Sequence, residues 1–97
     1  MLRHTVLITF KPEVQPAQID ALANRLARLA DVVDEVAAVA SGRDLSLIDG
    51  RSDFAICVDL VSRDDYEGYL RHDEHRALVD LLRDLVDSRT VVDFEFG

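Results

Sequence analysis

Apolar and polar residues alternate from the start of the chain. His4, Val6, Ile8 and Phe10 fall on one side of an extended segment, and Thr5, Leu7 and Thr9 on the other. A period of two predicts a strand over residues 4–10. Pro12 and Pro16 bracket a turn, and Pro16 suits a first helical turn, where its missing N–H costs nothing. The period then lengthens. Ile19, Leu22, Leu26, Leu29 and Val33 recur at helical spacing while Asp20, Arg25 and Arg28 fall off that stripe, so an amphipathic helix follows. Residues 36–43 are alanine-rich and stop near Gly42; they are taken as a strand. Residues 45–52 are expected to loop, with Asp49-Gly50 as the turn dipeptide. Residues 54–61 form a strand with Phe54, Ile56, Val58 and Leu60 on one face and Ala55, Cys57, Asp59 and Val61 on the other. Both faces are largely apolar, so both are expected to be covered. Ser62 caps a short helix, with Asp65 three residues on. A longer helix over residues 73–87 and a last strand over residues 91–96 complete the chain.

The order strand, helix, strand, strand, helix, strand predicts an α+β fold: a ferredoxin-like βαββαβ sandwich in one domain over residues 1–97. Both principal helices would lie on one face of a four-stranded antiparallel sheet. By alternation the other face carries Thr5, Leu7, Cys57, Val61, Val92, Phe94 and Phe96. A chain this short hides only roughly 60–65% of its unfolded surface when it folds alone, and an uncovered apolar face marks an interface. A homodimer is therefore expected, its sheets face to face through Leu7, Val92, Phe94 and Phe96, as a dimeric α+β barrel.

Charge narrows the partners. The net charge is −8, and Lys11 is the single lysine. Phosphate binding needs clustered Lys and Arg, so neither nucleic acid nor an anionic membrane surface is expected. No apolar run approaches the ~18 residues of a membrane span, and the N-terminal stretch lacks a small-residue cleavage site. Cys57 is the single cysteine, which leaves no intramolecular disulfide and no cysteine-based zinc site. The expected location is the cytoplasm.

The candidate chemistry sits in residues 69–78, YLRHDEHRAL. At ~100° per residue a helix places His75, Leu78, Val79, Leu82, Leu85 and Val86 in one stripe. His75 then points between helix and sheet, and His72 towards solvent or the preceding loop. His75 reads either as a buried histidine satisfied by a hydrogen bond or as a general acid or base in a pocket, a role its ordinary pKa near ~6.5 suits. His4, Tyr69 and Asp93 are expected on the same layer, and buried polar groups cost stability unless paired. A metal is not expected. The usual helical zinc pair is spaced i, i+4, whereas His72 and His75 are three apart. No glycine-rich phosphate loop or dinucleotide fingerprint is present.

Four stretches together, RHTVLITFKPEV, SGRDLS, YLRHDEHRAL and VVDFEF, resemble the stress-responsive α/β-barrel family of dimeric α+β barrel proteins. The resemblance runs nearly the whole chain in one register. It implies the same fold and, by likeness to a polyketide-cyclising branch, a cofactor-free aldol-type cyclase or lyase. In that reading His75 is the general base, Tyr69 its partner and His4 a further cavity histidine. The chain departs from the pattern in places. Asp73 replaces a frequent proline; Phe54 stands where that branch has a pocket histidine; Ala23, Leu26 and Val86 stand where it has aromatic residues. The expected pocket lining is Val6, Ile8, Ala23, Leu26, Phe54, Ile56, Val86 and Asp93, and the expected ligand a small carbonyl compound. The alternative is a non-catalytic stress-response or small-ligand-binding protein on the same fold.

Overall fold

The computed structural model describes residues 1–50 and 52–97. Arg51, part of the loop expected at 45–52, lies outside the described residues. β1 (Leu2–Phe10), β2 (Val36–Arg43), β3 (Phe54–Leu60) and β4 (Val86–Glu95) form one sheet in the order β2-β3-β1-β4. All three pairings are antiparallel. α1 (Pro16–Ala27), a short α2 (Leu29–Val32), α3 (Tyr66–Arg71) and α4 (Asp73–Leu85) are the α-helices among the described residues, and a 3₁₀ turn over Arg63–Asp65 leads into α3. This is the βαββαβ ferredoxin-like arrangement.

Period two explains the sheet's two faces. The register sets His4 against Val58 and Asp93, and Val6 against Ile56 and Val91. That face meets the helices: Val6, Ile8, Phe54, Ile56, Val58 and Leu60 are buried there with Leu22, Leu26, Leu29, Leu78 and Leu85. On the other face Arg3 lies opposite Phe94, and Thr5 opposite Val92. Leu7, Val92 and Phe94 stay 41%, 58% and 45% exposed, so none of the described residues covers it. Within the single chain, the cover expected for both faces of β3 is present on the helix side.

Boundaries differ from the sequence reading where polar residues mask an element. The helical stripe does not run unbroken to Val33. α1 ends at Ala27, Arg28 caps it, and the N–H of Arg28 reaches the carbonyls of Arg25 and Leu26. Leu29 and Val33 are nonetheless fully buried, because the short α2 keeps them over the sheet. α4 stops at Leu85, and Val86 is extended, with φ −90° and ψ 127°. Val86 therefore belongs to β4, opposite Phe10 after an irregularity at Thr9/Phe10. β4 also starts five residues before the expected Val91. The run Ser88-Arg89-Thr90 falls between the expected helix and strand, but an edge strand borrows its hydrogen bonds from β1 and can leave polar side chains in water. Gly50 takes φ +72°, the left-handed turn conformation expected of Asp49-Gly50.

The capping box at Ser62 forms. The Asp65 carboxylate accepts from the backbone N–H of Ser62 at 3.2 Å and from its hydroxyl at 3.3 Å. Asp65→Ala is expected to lower stability by about 0.5–1.5 kcal/mol in urea unfolding, the net worth of such a bond. Across the helix layer, Arg25 of α1 pairs with Glu74 of α4 at 3.3 Å. Among the described residues no helix is long and apolar enough to cross a membrane.

Candidate functional site

A cavity of about 450 Å³ lies between α4, the end of α3 and the helix-side face of β1, β3 and β4. His4, Tyr69 and His75 stand at one end. Val6, Ile8, Ile56 and Val58 supply an apolar floor, and Leu78 and Leu82 an apolar roof. Arg83, Asp87, Ser88 and Arg89 also line it. Arg89 pairs with Ile8 in the sheet, four residues along β1 from His4. At ~3.3 Å per residue this polar end lies roughly 13 Å from the imidazole end.

His72, three residues from His75, does something else. It is the residue before α4, and its Nδ1 accepts the N–H of Glu74 at 3.0 Å. An imidazole thus takes the place of the usual Ser or Asp at a helix N-terminus. His72 is absent from the cavity lining, as expected of it, and its cap on α4 is what the spacing alone did not show. His72→Ala is expected to cost about 0.5–2 kcal/mol in stability, as lost caps do, with no change in any activity of the cavity.

His75 sits one turn further on, in the first turn of α4. Its Nδ1 lies 3.2 Å from the Leu70 carbonyl oxygen. The carbonyl can only accept, so Nδ1 carries the hydrogen and Nε2 keeps its lone pair. Burial holds the imidazole below the ordinary histidine range; the bond to Leu70 acts the other way, and His4 adds to the depression. The Tyr69 ring stands edge-on to His75, with centroids 4.7 Å apart. Tyr69 is almost wholly buried. Burial, reinforced by Tyr66, pushes its phenol up to about 12. It is therefore a neutral hydroxyl, able to donate. His4 completes the group, with Nδ1 2.5 Å from the Asp93 carboxylate and its ring edge-on to Tyr66 at 5.8 Å.

The structure brings His4, Val6, Ile8, Ile56, Tyr69, His75 and Val86 together around one space. It does not bring the rest of the expected lining there. Leu26 and Phe54 are packed in the core, and Ala23 lies against that core. Asp93 stands behind His4, on the wall of a second depression of about 510 Å³ shared with Tyr66, Arg63 and Glu67. Sequence reasoning missed Val58 and the polar end. Val58 was legible, because it alternates with Phe54 and Ile56. Arg89 was hidden between the expected helix and strand. Among the described residues no three His, Cys, Asp or Glu side chains gather into a metal site.

Residues 2–96 match the stress-responsive A/B barrel domain family, and the chain belongs to that family. No curated protein matches it by sequence. Among solved structures it is similar to a dimeric ferredoxin-like protein of unknown function from Thermobifida fusca. That pair is 30% identical, with TM-score 0.89, covering 98% of this chain and 90% of the other. A protein of Arabidopsis thaliana shares 21% identity at TM-score 0.88, over 100% of this chain and 96% of its own. A hydroxynitrile lyase from Passiflora edulis shares 16% identity at TM-score 0.88, over 99% and 93%. The last two likenesses establish the fold alone.

Proposed function

We propose that this protein is a small cofactor-free enzyme of the cyclase or lyase kind, in which His75 removes a proton beside a carbonyl group and Tyr69 is its partner. The observation that carries this is the state of His75. Its Nδ1 is committed to Leu70, which leaves the Nε2 lone pair for a cavity that His75 shares with a neutral phenol. Nε2 would take the C–H proton, and the electron pair would move to the carbonyl oxygen, which accepts a hydrogen bond from the Tyr69 hydroxyl. The enolate then attacks a second carbonyl, whose oxygen must gain a proton, or expels a leaving group, and His75 afterwards releases its proton to solvent. Apolar walls ending in Arg83 and Arg89 fit a carbonyl compound with an apolar body and a polar far end. The hydroxynitrile lyase of the same fold supports lyase chemistry on this scaffold without assigning a substrate.

Two copies pair through the outer sheet face. The exposed Leu7, Val92 and Phe94 and the dimeric relative from Thermobifida fusca support this. Cys57, half-buried on that face, suits a reducing cytoplasm, the setting this reading assumes.

Proton exchange tests the chemistry before the substrate is known. Simple 1,3-dicarbonyl compounds with apolar tails, incubated with the protein in D₂O, should exchange their acidic C–H faster than with buffer alone. Tyr69→Phe should slow this by up to about tenfold, since it removes one hydrogen bond of about 0.5–1.5 kcal/mol. Exchange at the background rate for every probe, together with measurable binding of those probes, would instead make the chain a ligand-binding protein.

A further inference from the structure

Asp93 stands outside the cavity and in contact with His4, which lines it. In the sheet it lies directly opposite His4, with its Oδ1 2.5 Å from His4 Nδ1. A carboxylate oxygen accepts, so Nδ1 of His4 carries the hydrogen. Nε2 is then the nitrogen left for the cavity, which His4 lines and Asp93 does not. Tyr66 backs the arrangement: its ring packs on His4, and burial first, then the charge of Asp93, push its phenol up.

The two cavity imidazoles therefore differ. His75 leans on the neutral carbonyl of Leu70, and among the described residues no carboxylate forms an ion pair with it. His4 leans on a carboxylate. A proton on Nε2 of His4 makes an imidazolium whose charge Asp93 matches at contact distance.

We propose that Asp93 is a positioning residue: it fixes His4 with Nε2 towards the ligand, so that His4 gives up a proton opposite His75, which takes one. This rests on the reading of His75 as base. The step balances. The C–H proton goes to His75 Nε2, and its electron pair becomes the enolate and then the new carbon–carbon bond. The acceptor carbonyl oxygen takes its proton from Nε2–H of His4, which is left neutral with Nδ1–H still on Asp93. Solvent then carries the proton from His75 back to His4 as product leaves.

Long-range ¹H–¹⁵N NMR of the uniformly labelled protein tests this without a substrate. Expected is a His4 Nδ1 in the hydrogen-bearing range, bonded to a proton shifted far downfield. Asp93→Ala should abolish that downfield proton and turn neutral His4 to the Nε2–H tautomer that free imidazole side chains favour, leaving His72 and His75 unmoved. A wild-type His4 with hydrogen on Nε2 alone, or signals indifferent to Asp93→Ala, overturns the proposal. Should Asp93→Ala fail to fold, Asp93→Asn keeps the shape of the carboxylate and serves the same comparison, and the wild-type spectrum still decides where the hydrogen sits. Carbon–hydrogen exchange that depends on His75, found alongside an unprotonated His4 Nδ1, removes the positioning role and leaves the base. A protonated Nδ1 without exchange on any probe removes the base, and the donor role with it.

Discussion

His75→Ala is expected to lower turnover of a true substrate, and C–H exchange on a dicarbonyl probe, by ~10²–10⁴-fold, the usual contribution of a positioned general base. The loss should fall on kcat rather than on binding, because the apolar walls from Val6 to Leu82 remain. The fold should survive, because His75 is half-buried at the first turn of α4 rather than part of the core cluster. A far-ultraviolet CD spectrum like that of the wild type, together with lost exchange, is the expected pair of results. Equal exchange rates in His75→Ala and wild type would sink the base assignment.

The pH dependence follows from the same geometry. The working form of His75 is neutral, and burial lowers its pKa from the ordinary 6.5. Activity should therefore persist below pH ~6.5, where an exposed histidine is already half-protonated, and fall only as pH drops through the lowered value. Stability carries the same sign. Below about 6.5 the unfolded chain takes up a proton at this position that the folded chain resists, so the contribution is present above the unfolded pKa and is lost as pH falls. His75→Ala should remove that part of the acid sensitivity, measurable as a flatter dependence of the urea midpoint on pH between 5 and 7 (roughly the histidine range).

The contrast between His72 and His75 shows what the sequence could and could not carry. Helical spacing alone separated the two, because it asks only which residues share a stripe. It could not show that His72 caps α4, since that depends on a side chain turning back to the N–H of Glu74. Strand alternation put His4 and Asp93 on the helix side together, and the register confirms that they are neighbours. Alternation cannot say which of two neighbours faces a cavity. Asp93 lies on the edge strand, where its carboxylate turns out to the second depression, and His4 lies one strand further in. The polar end at Arg89 was illegible for a different reason. A strand at a sheet edge needs no apolar face of its own when β1 provides its partners, so Ser88, Arg89 and Thr90 carry no strand signal.

Phe94→Asp is expected to convert the dimer to a folded monomer. Phe94 is 45% exposed in the single chain and, with Leu7 and Val92, belongs to the uncovered face. Its loss should therefore leave the core of each copy intact. In a twofold dimer the same patch meets itself, so each substitution enters the interface twice. An unpaired charge in an apolar contact costs several kcal/mol, and each ~1.4 kcal/mol is tenfold in Kd. Two such charges should weaken association by at least ~10³-fold. One local effect works against this. The guanidinium of Arg3 lies 6.0 Å from the Phe94 ring and 4.3 Å from that of Phe96, so a new carboxylate could draw Arg3 from Asp59, which now holds it through bonds of 2.8 and 3.1 Å. Phe94→Lys removes that escape, because it sets like charge beside Arg3. Light scattering at micromolar concentration should give a dimer mass for wild type and a monomer mass for Phe94→Lys. Arg71→Glu, on the exposed side of α3, should leave the mass unchanged. A Phe94→Lys protein that stays dimeric would place the interface on another face.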